Sequence, residues 1–218
     1  KDVLLVTSAA VGAGMGCLNI KEKPESISER QALAAIGQGR LMHLYEKLFA
    51  EHGTVVAQVL LTKDDLEENE RCFNAKTTIK QILAYNAVPI INENDTVSYE
   101  QIKFGDNDTL SAMVANLVEA DLLILLSDID GLYSKDPRKD DKAVLIPIVE
   151  EITQEIEDMT GGAGSELGSG GMTTKIAAAK IAMSSNIPMI LTNGSSRECL
   201  TFLKPDSEMF TGTVFFRE

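Results

Sequence analysis

Histidine is nearly absent from this sequence. Its two copies, His43 and His52, fall in a helical pattern with no Cys or His partner at ligand spacing, which argues against a zinc site. Cysteine is almost as scarce. Cys17, Cys72 and Cys199 are odd in number and contain no C-x-x-C pair, which points to reduced cytosolic thiols, not a disulfide framework. Basic residues are outnumbered, 20 Lys+Arg against 33 Asp+Glu, for a net charge of −13. That balance argues against a nucleic-acid backbone or an anionic membrane surface as partner. A small anionic substrate stays compatible with it, because local backbone N–H groups override net charge. No apolar run approaches the ~20 residues that span a bilayer, and no secretory signal precedes the first strand. An initiator Met is missing too: the chain opens Lys1-Asp2-Val3 and enters an apolar run at once, so either the true N-terminus is missing or the sequence starts late.

What is present is an ordinary folded-protein composition, 44% hydrophobic and 24% charged over 218 residues, which excludes disorder as the main state. That length fits one or at most two domains. With no internal repeat, low-complexity run or linker, one domain over residues 1–218 is expected. Apolar runs at Val3–Val6, Val55–Leu61, Val88–Ile91, Leu122–Leu126, Met189–Thr192 and Thr213–Phe216 read as strands buried on both faces, as in a parallel sheet. Ser28 followed by Gln31 reads as a capping box opening a helix that runs to about His52 and stops at Gly53. Further helices are expected over about Asp64–Asn86, Thr109–Glu119, Thr173–Ser185 and Arg197–Leu203, with a small β excursion over Val97–Phe104. Strand and helix in alternation predict an α/β fold, a three-layer αβα sandwich around a mainly parallel central sheet.

In open α/β sheets, ligands bind beyond the carboxyl ends of the strands, and small or polar residues gather there. Thr7-Ser8-Ala9-Ala10-Val11-Gly12-Ala13-Gly14 runs from a strand into a small-residue turn whose amides can approach an anion. It reads equally as a tight turn, and Cys17 spoils a dinucleotide glycine pattern. Asn92-Glu93-Asn94-Asp95 places four carboxylate or amide side chains after a buried strand, costly to desolvate without a partner such as a ligand ammonium; an Asx-rich turn is the plainer reading. Asp106-Asn107-Asp108 opens a helix with more polar side chains than capping requires. Ser127-Asp128-Ile129-Asp130-Gly131 follows another apolar strand, and Ser134–Asp140 reads as a polar loop. Gly168-Ser169-Gly170-Gly171-Met172-Thr173-Thr174-Lys175 reads as a phosphate cradle without being a Walker A loop. The lysine opposes the helix dipole there unless an anion offsets it.

The segments Thr7–Ala10, Asn92–Asp95, Gly105–Asp108, Ser127-Asp128 and Gly170–Lys175 occur in the order and spacing of the glutamate 5-kinases, so the chain resembles that branch of the amino acid kinase family along essentially its whole length. The resemblance implies ATP-dependent phosphorylation of the side-chain carboxylate of L-glutamate, the first step of proline biosynthesis. It implies that Ser8, Asp95 and Asn107 hold glutamate, with Asp108 nearby. Ser127, Asp128, Ser169, Gly170, Gly171, Met172, Thr173, Thr174 and Lys175 then bind ATP. Lys175 stabilises the transferred phosphoryl group, Asp128 helps orient the catalytic lysines, and the Asp136-Pro137 loop forms the adenine-side wall. Mg²⁺ bound mainly through the phosphates, a homo-oligomer, a cytoplasmic location and inhibition by proline are implied as well; no nucleic-acid or membrane partner is. A carboxylate nucleophile has no proton to remove, so the lack of a histidine base fits this chemistry.

The sequence departs from the family pattern in three ways. It begins after the strand that carries a Lys-x-Gly-Ser/Thr motif, so severely reduced turnover is expected if that strand is truly absent. A kinase domain alone, without a PUA domain, is expected over these residues. Ala9 stands where glycine is common, so the turn is expected to avoid positive φ there. Ile36-Gly37-Gln38-Gly39 suits close helix contact, either across a subunit boundary or inside the molecule. The alternatives are a kinase for N-acetylglutamate, aspartate or a nucleoside monophosphate, or a non-catalytic nucleotide-binding module. A dinucleotide-dependent oxidoreductase is disfavoured by the broken glycine pattern.

Overall fold

The computed structural model describes residues 1–98, 107–160, 171–195 and 211–217. It divides into two compact units, Lys1–Leu110 and Ser111–Glu218.

The first unit holds β1 (Leu5–Val6), α1 (Ala10–Leu18), α2 (Ile27–Ala50), β2 (Val56–Leu61), α3 (Lys63–Glu67), α4 (Asn69–Ala84) and β3 (Val88–Glu93), and it takes in the first residues of α5 (Asn107–Val118). Its three strands are all parallel in the order β1-β3-β2. The central strand β3 is the buried one: Ile90 and Ile91 have no exposed surface and Asn92 is 1% exposed. Pro89 fits this strand because its missing N–H lies on the β1 side, where pairing starts only at Leu5↔Ile90. The edge strand β2 is less covered than its apolar run suggests, and Gln58 in it is exposed.

Ser26 opens α2, not Ser28. Its hydroxyl accepts from the Glu29 amide while the Glu29 carboxylate accepts from the Ser26 amide, a reciprocal cap that Gln31 is too far along to make. The helix expected over Asp64–Asn86 is two helices, because Glu68 between them is extended (φ −78°, ψ 121°) and Thr62 caps the first through Asp65. The stretch read as a small-residue turn is the helix α1. It lies hard against α2: a Cβ on Gly14 would sit 2.0 Å from the Leu33 carbonyl oxygen, and one on Gly37 would sit 1.8 Å from that of Ala10. The close contact at Gly37 is therefore inside the molecule, whereas Gly39 faces open space.

The second unit holds the rest of α5, β4 (Leu123–Ser127), β5 (Ile148–Val149), α6 (Gln154–Thr160), α7 (Met172–Ser184), β6 (Met189–Asn193) and β7 (Thr213–Phe215). Its sheet runs β4-β6-β7-β5, parallel except between β6 and β7. Ala178, Ala179 and Ala182 of α7 pack with Leu123, Leu125, Met189, Leu191 and Phe215. A face of alanines lets this helix lie close to the strands beneath it. The fold class is thus α/β with mainly parallel sheets, as the alternating pattern predicts. The short elements β5 and α6 carry no apolar run long enough to announce them. The helix expected over Arg197–Leu203 lies outside the described residues, as do residues 99–104 of the expected β excursion. Val97 and Ser98 close a turn, both amides donating to the Asn94 carbonyl.

Candidate active site

In the first unit the parallel strands end at one edge. Thr7 follows β1 and its amide donates to the Ile91 carbonyl of β3 (2.8 Å), while its hydroxyl bonds to Tyr45 of α2 (2.7 Å). Ser8 comes next and is exposed. Ala9 then takes φ 74°, ψ 17° as the N-cap of α1. The expectation that this turn avoids positive φ is overturned: the chain must reverse from strand to helix within two residues, and the left-handed conformation does so although an L side chain disfavours it.

The end of β3 carries a row of amides. The backbone N–H of Glu93 donates to Asn92 Oδ1 (2.9 Å), Asn92 Nδ2 donates to Gln38 Oε1 (2.9 Å), and Gln38 Nε2 donates to Gln58 Oε1 (3.3 Å). From the first turn of α5, Asn107 Nδ2 also donates to Asn92 Oδ1 (3.3 Å). Asn107 Oδ1 is buried and, among the described residues, receives no hydrogen bond. Glu93 and Asp95 lie half-buried beside this row. Burial raises the Glu93 carboxyl pKa above its ordinary value and the negative charge of Asp95 adds to the rise, partly opposed by Ser98 and Arg30. Burial raises that of Asp95 as well, against the pull of Arg30. A region with surplus acceptors and two carboxylates short of solvation is suited to a cationic donor.

In the second unit, Ser127 ends β4 and its hydroxyl donates to Asp128 Oδ1 (3.3 Å). Arg138 donates to Asp128 Oδ2 at 2.7 Å, and that bond is the chief reason the Asp128 carboxyl is held below its ordinary pKa. Arg138 belongs to a stretch that reads in sequence as a plain polar loop; nothing in its local pattern signals the pairing. Asp130 accepts from Asn193 (3.0 Å) and from the Tyr133 hydroxyl (3.1 Å). Gly131 is required where it stands, since a Cβ would meet Thr213 Oγ1 at 2.6 Å.

Of the glycine-rich segment, Gly171 to Lys175 are described; Ser169 and Gly170 lie outside the described residues, as do Gly105 and Asp106. Gly171 is the N-cap of α7 with no side-chain bond to the first turn, and that turn has no acidic residue. Thr174 folds its hydroxyl back onto the Gly171 carbonyl (2.7 Å). Lys175 is only 8% exposed, an unusual position for a lysine. A glycine cap, a first turn without acidic residues and a buried lysine at one helix N-terminus fit a phosphate group.

Each unit thus gathers polar residues at the carboxyl ends of parallel strands or at a helix start, the usual place for ligands in an α/β fold. The family model for the amino acid kinase family matches residues 1–193, and the chain belongs to that family. Within it, the similarity is to curated glutamate 5-kinases. The one from Clostridium tetani is 57% identical over 199 residues, covering 91% of this chain and 74% of that protein. The one from Clostridium acetobutylicum is 54% identical over 214 residues, covering 98% and 79%. That from Carboxydothermus hydrogenoformans is 54% identical over 215 residues, covering 99% of this chain but only 57% of the relative's length. Among solved structures, an isopentenyl phosphate kinase in a substrate complex superposes with a TM-score of 0.63 at 19% identity, covering 98% of this chain and 84% of that one. Escherichia coli aspartokinase III with aspartate and ADP gives 0.60 at 16% identity, covering 95% and 44%. These two share the fold.

Proposed function

We propose that the chain carries the apparatus for transferring the γ-phosphoryl group of ATP to the side-chain carboxylate of L-glutamate. The observation that carries this reading is the acceptor-rich end of β3: the half-buried Glu93 and Asp95, their pKa values raised by burial, follow Asn92, and Asn107, bonded to Asn92, has an Oδ1 that receives no hydrogen bond among the described residues. An α-ammonium adds hydrogen-bond donors and positive charge beyond that of Arg30, whose pull leaves both pKa values raised. Asp95 and Asn107 would take the ammonium end, with Ser8 after β1 and Asp108 in the first turn of α5 assigned to the same substrate by the resemblance. The carboxylate nucleophile is already ionised at neutral pH, so these residues have only to place it in line with the phosphorus.

On the nucleotide side, Ser127, Asp128 and Gly171 to Lys175, with Ser169 and Gly170 by resemblance, would hold ATP. Lys175, held in a dry setting, would stabilise the charge on the phosphoryl oxygens as the bond to the leaving group breaks. Mg²⁺, carried mainly by the phosphates, supplies further charge neutralisation when bound. The same reading takes in a homo-oligomer, a cytoplasmic location and inhibition by proline, all of which rest on the resemblance.

The test is ADP release by the full-length protein with L-glutamate, N-acetylglutamate and L-aspartate compared. L-Glutamate should be preferred by a wide margin. Asp95→Ala should raise the glutamate KM by about tenfold or more, the loss expected for one hydrogen bond to a charged group, and leave the ATP KM within about twofold. Equal effects on both substrates, or N-acetylglutamate as the better acceptor, overturn the reading.

A further inference from the structure

We propose that Gln38, in the middle of α2 and outside the segments that carry the family resemblance, is a positioning residue for the amino-acid end of this site. This rests on the reading above, in which Asn107 touches the substrate.

One donor in the row has a direction that is certain. A backbone N–H can only donate, so the bond from Glu93 N to Asn92 forces the Asn92 carbonyl oxygen to that side. The Asn92 NH₂ must then face Gln38, and it meets the Gln38 carbonyl oxygen at 2.9 Å. With its oxygen engaged there, Gln38 turns its NH₂ to Gln58 Oε1. On the other side, Asn107 meets an Asn92 oxygen and so presents its own NH₂ to it, which leaves Asn107 Oδ1 pointing away as a bare acceptor. One main-chain amide thus orients every side-chain amide in the row, and the row ends in the group that receives an ammonium donor.

Gln38 closes this row from inside the protein. Asn92 is 1% exposed and Gln38 is 8% exposed, so solvent has little access to replace the Gln38 oxygen. Without that acceptor the buried Asn92 NH₂ is left unsatisfied, and any rotation that finds it another acceptor carries Oδ1 away and releases Asn107. The substrate end is disturbed by a residue that never touches substrate.

The test compares Gln38→Met, which keeps length and loses the acceptor, with Gln38→Glu, whose carboxylate still accepts from Asn92. Both are measured in the full-length protein with L-glutamate and with glutarate, which lacks the amine, alongside Asn107→Ala. Gln38→Met should raise the glutamate KM by about tenfold. It should also narrow the preference for glutamate over glutarate and leave the ATP KM within about twofold. Gln38→Glu should restore most of the glutamate affinity. Glutamate-induced thermal stabilisation gives the same comparison should turnover fall below detection. If Asn107→Ala raises the glutamate KM but Gln38→Met does not, or if Gln38→Glu is as impaired as Gln38→Met, the positioning role is wrong while the site stands. If Asn107→Ala itself leaves glutamate binding unchanged, the underlying site assignment is wrong.

Discussion

Ala9 shows how much a single backbone angle settles. Its φ of 74° lets the chain pass from β1 into α1 with Thr7 and Ser8 at the sheet edge. An alanine in the left-handed region costs about 1–2 kcal/mol relative to the usual conformations, and glycine carries no such penalty. Ala9→Gly should therefore stabilise the protein by about 1 kcal/mol net of the entropy glycine adds to the unfolded chain, or about 2–4 °C in Tm. A thermal melt that moves down would mean the turn is held by something other than this conformation. The site's polar residues were legible one by one, because Asn92–Asp95 and Asn107-Asp108 are too polar for the ends of buried elements. Gln38 and Arg138 were not, because each acts through a contact distant in sequence, 54 residues to Asn92 and 10 to Asp128.

At the scale of elements, α1 and α2 depend on two glycines that leave no room for a methyl group. Gly37→Ala would place its Cβ 1.8 Å from the Ala10 oxygen and 2.4 Å from the Gly14 nitrogen, both main-chain atoms that cannot swing aside. A loss of about 1–3 kcal/mol is expected, the range for overpacking. Gly39→Ala, two residues along the same helix and in open space, should instead gain up to about 1 kcal/mol from helix propensity. Equal effects in a denaturant titration would refute the packing argument. The same contact explains a misreading. Ala10-Val-Gly-Ala-Gly-Met-Gly looks like a turn because glycine is a poor helix former, and α1 exists because its partner helix accepts it at that distance. The strands β1, β2, β3, β4, β6 and β7 were legible from uninterrupted apolar runs. By contrast β5, α6 and the break at Glu68 follow from packing and from capping by Thr62, which no periodicity encodes.

For the molecule as a whole, the acidic groups pull stability in two directions as pH changes. Asp65 and Asp128 have lowered pKa values, Asp65 through bonds from Thr62 and Arg71 that outweigh its burial and Asp128 through Arg138. Their contribution is present above their ordinary values and is lost as pH falls through the lowered ones. Glu93 and Asp95 have raised values, so the folded state keeps protons the unfolded state has released. Their effect is a loss of stability as pH rises from the ordinary carboxylate values through the raised ones. An ammonium ligand favours their ionised form and so relieves that loss. The thermal stabilisation given by L-glutamate should grow as pH rises above the ordinary carboxylate values, and that growth should flatten in Asp95→Asn. A stabilisation that shrinks with rising pH would show that these carboxylates do not face the ligand.

The amide row also bears on which sequences can replace this one. Only Asn92 is pinned by the main chain; Gln38 and the exposed Gln58 can turn over together if their neighbour's polarity changes. Exchange of an amide for an acid is therefore absorbed along the α2 side. At Asn107 the same one-atom exchange sets two oxygens face to face with neither free to turn. Evolutionary drift would thus be open at one end of the row and closed at the other, and the forbidden step is the one that changes shape least.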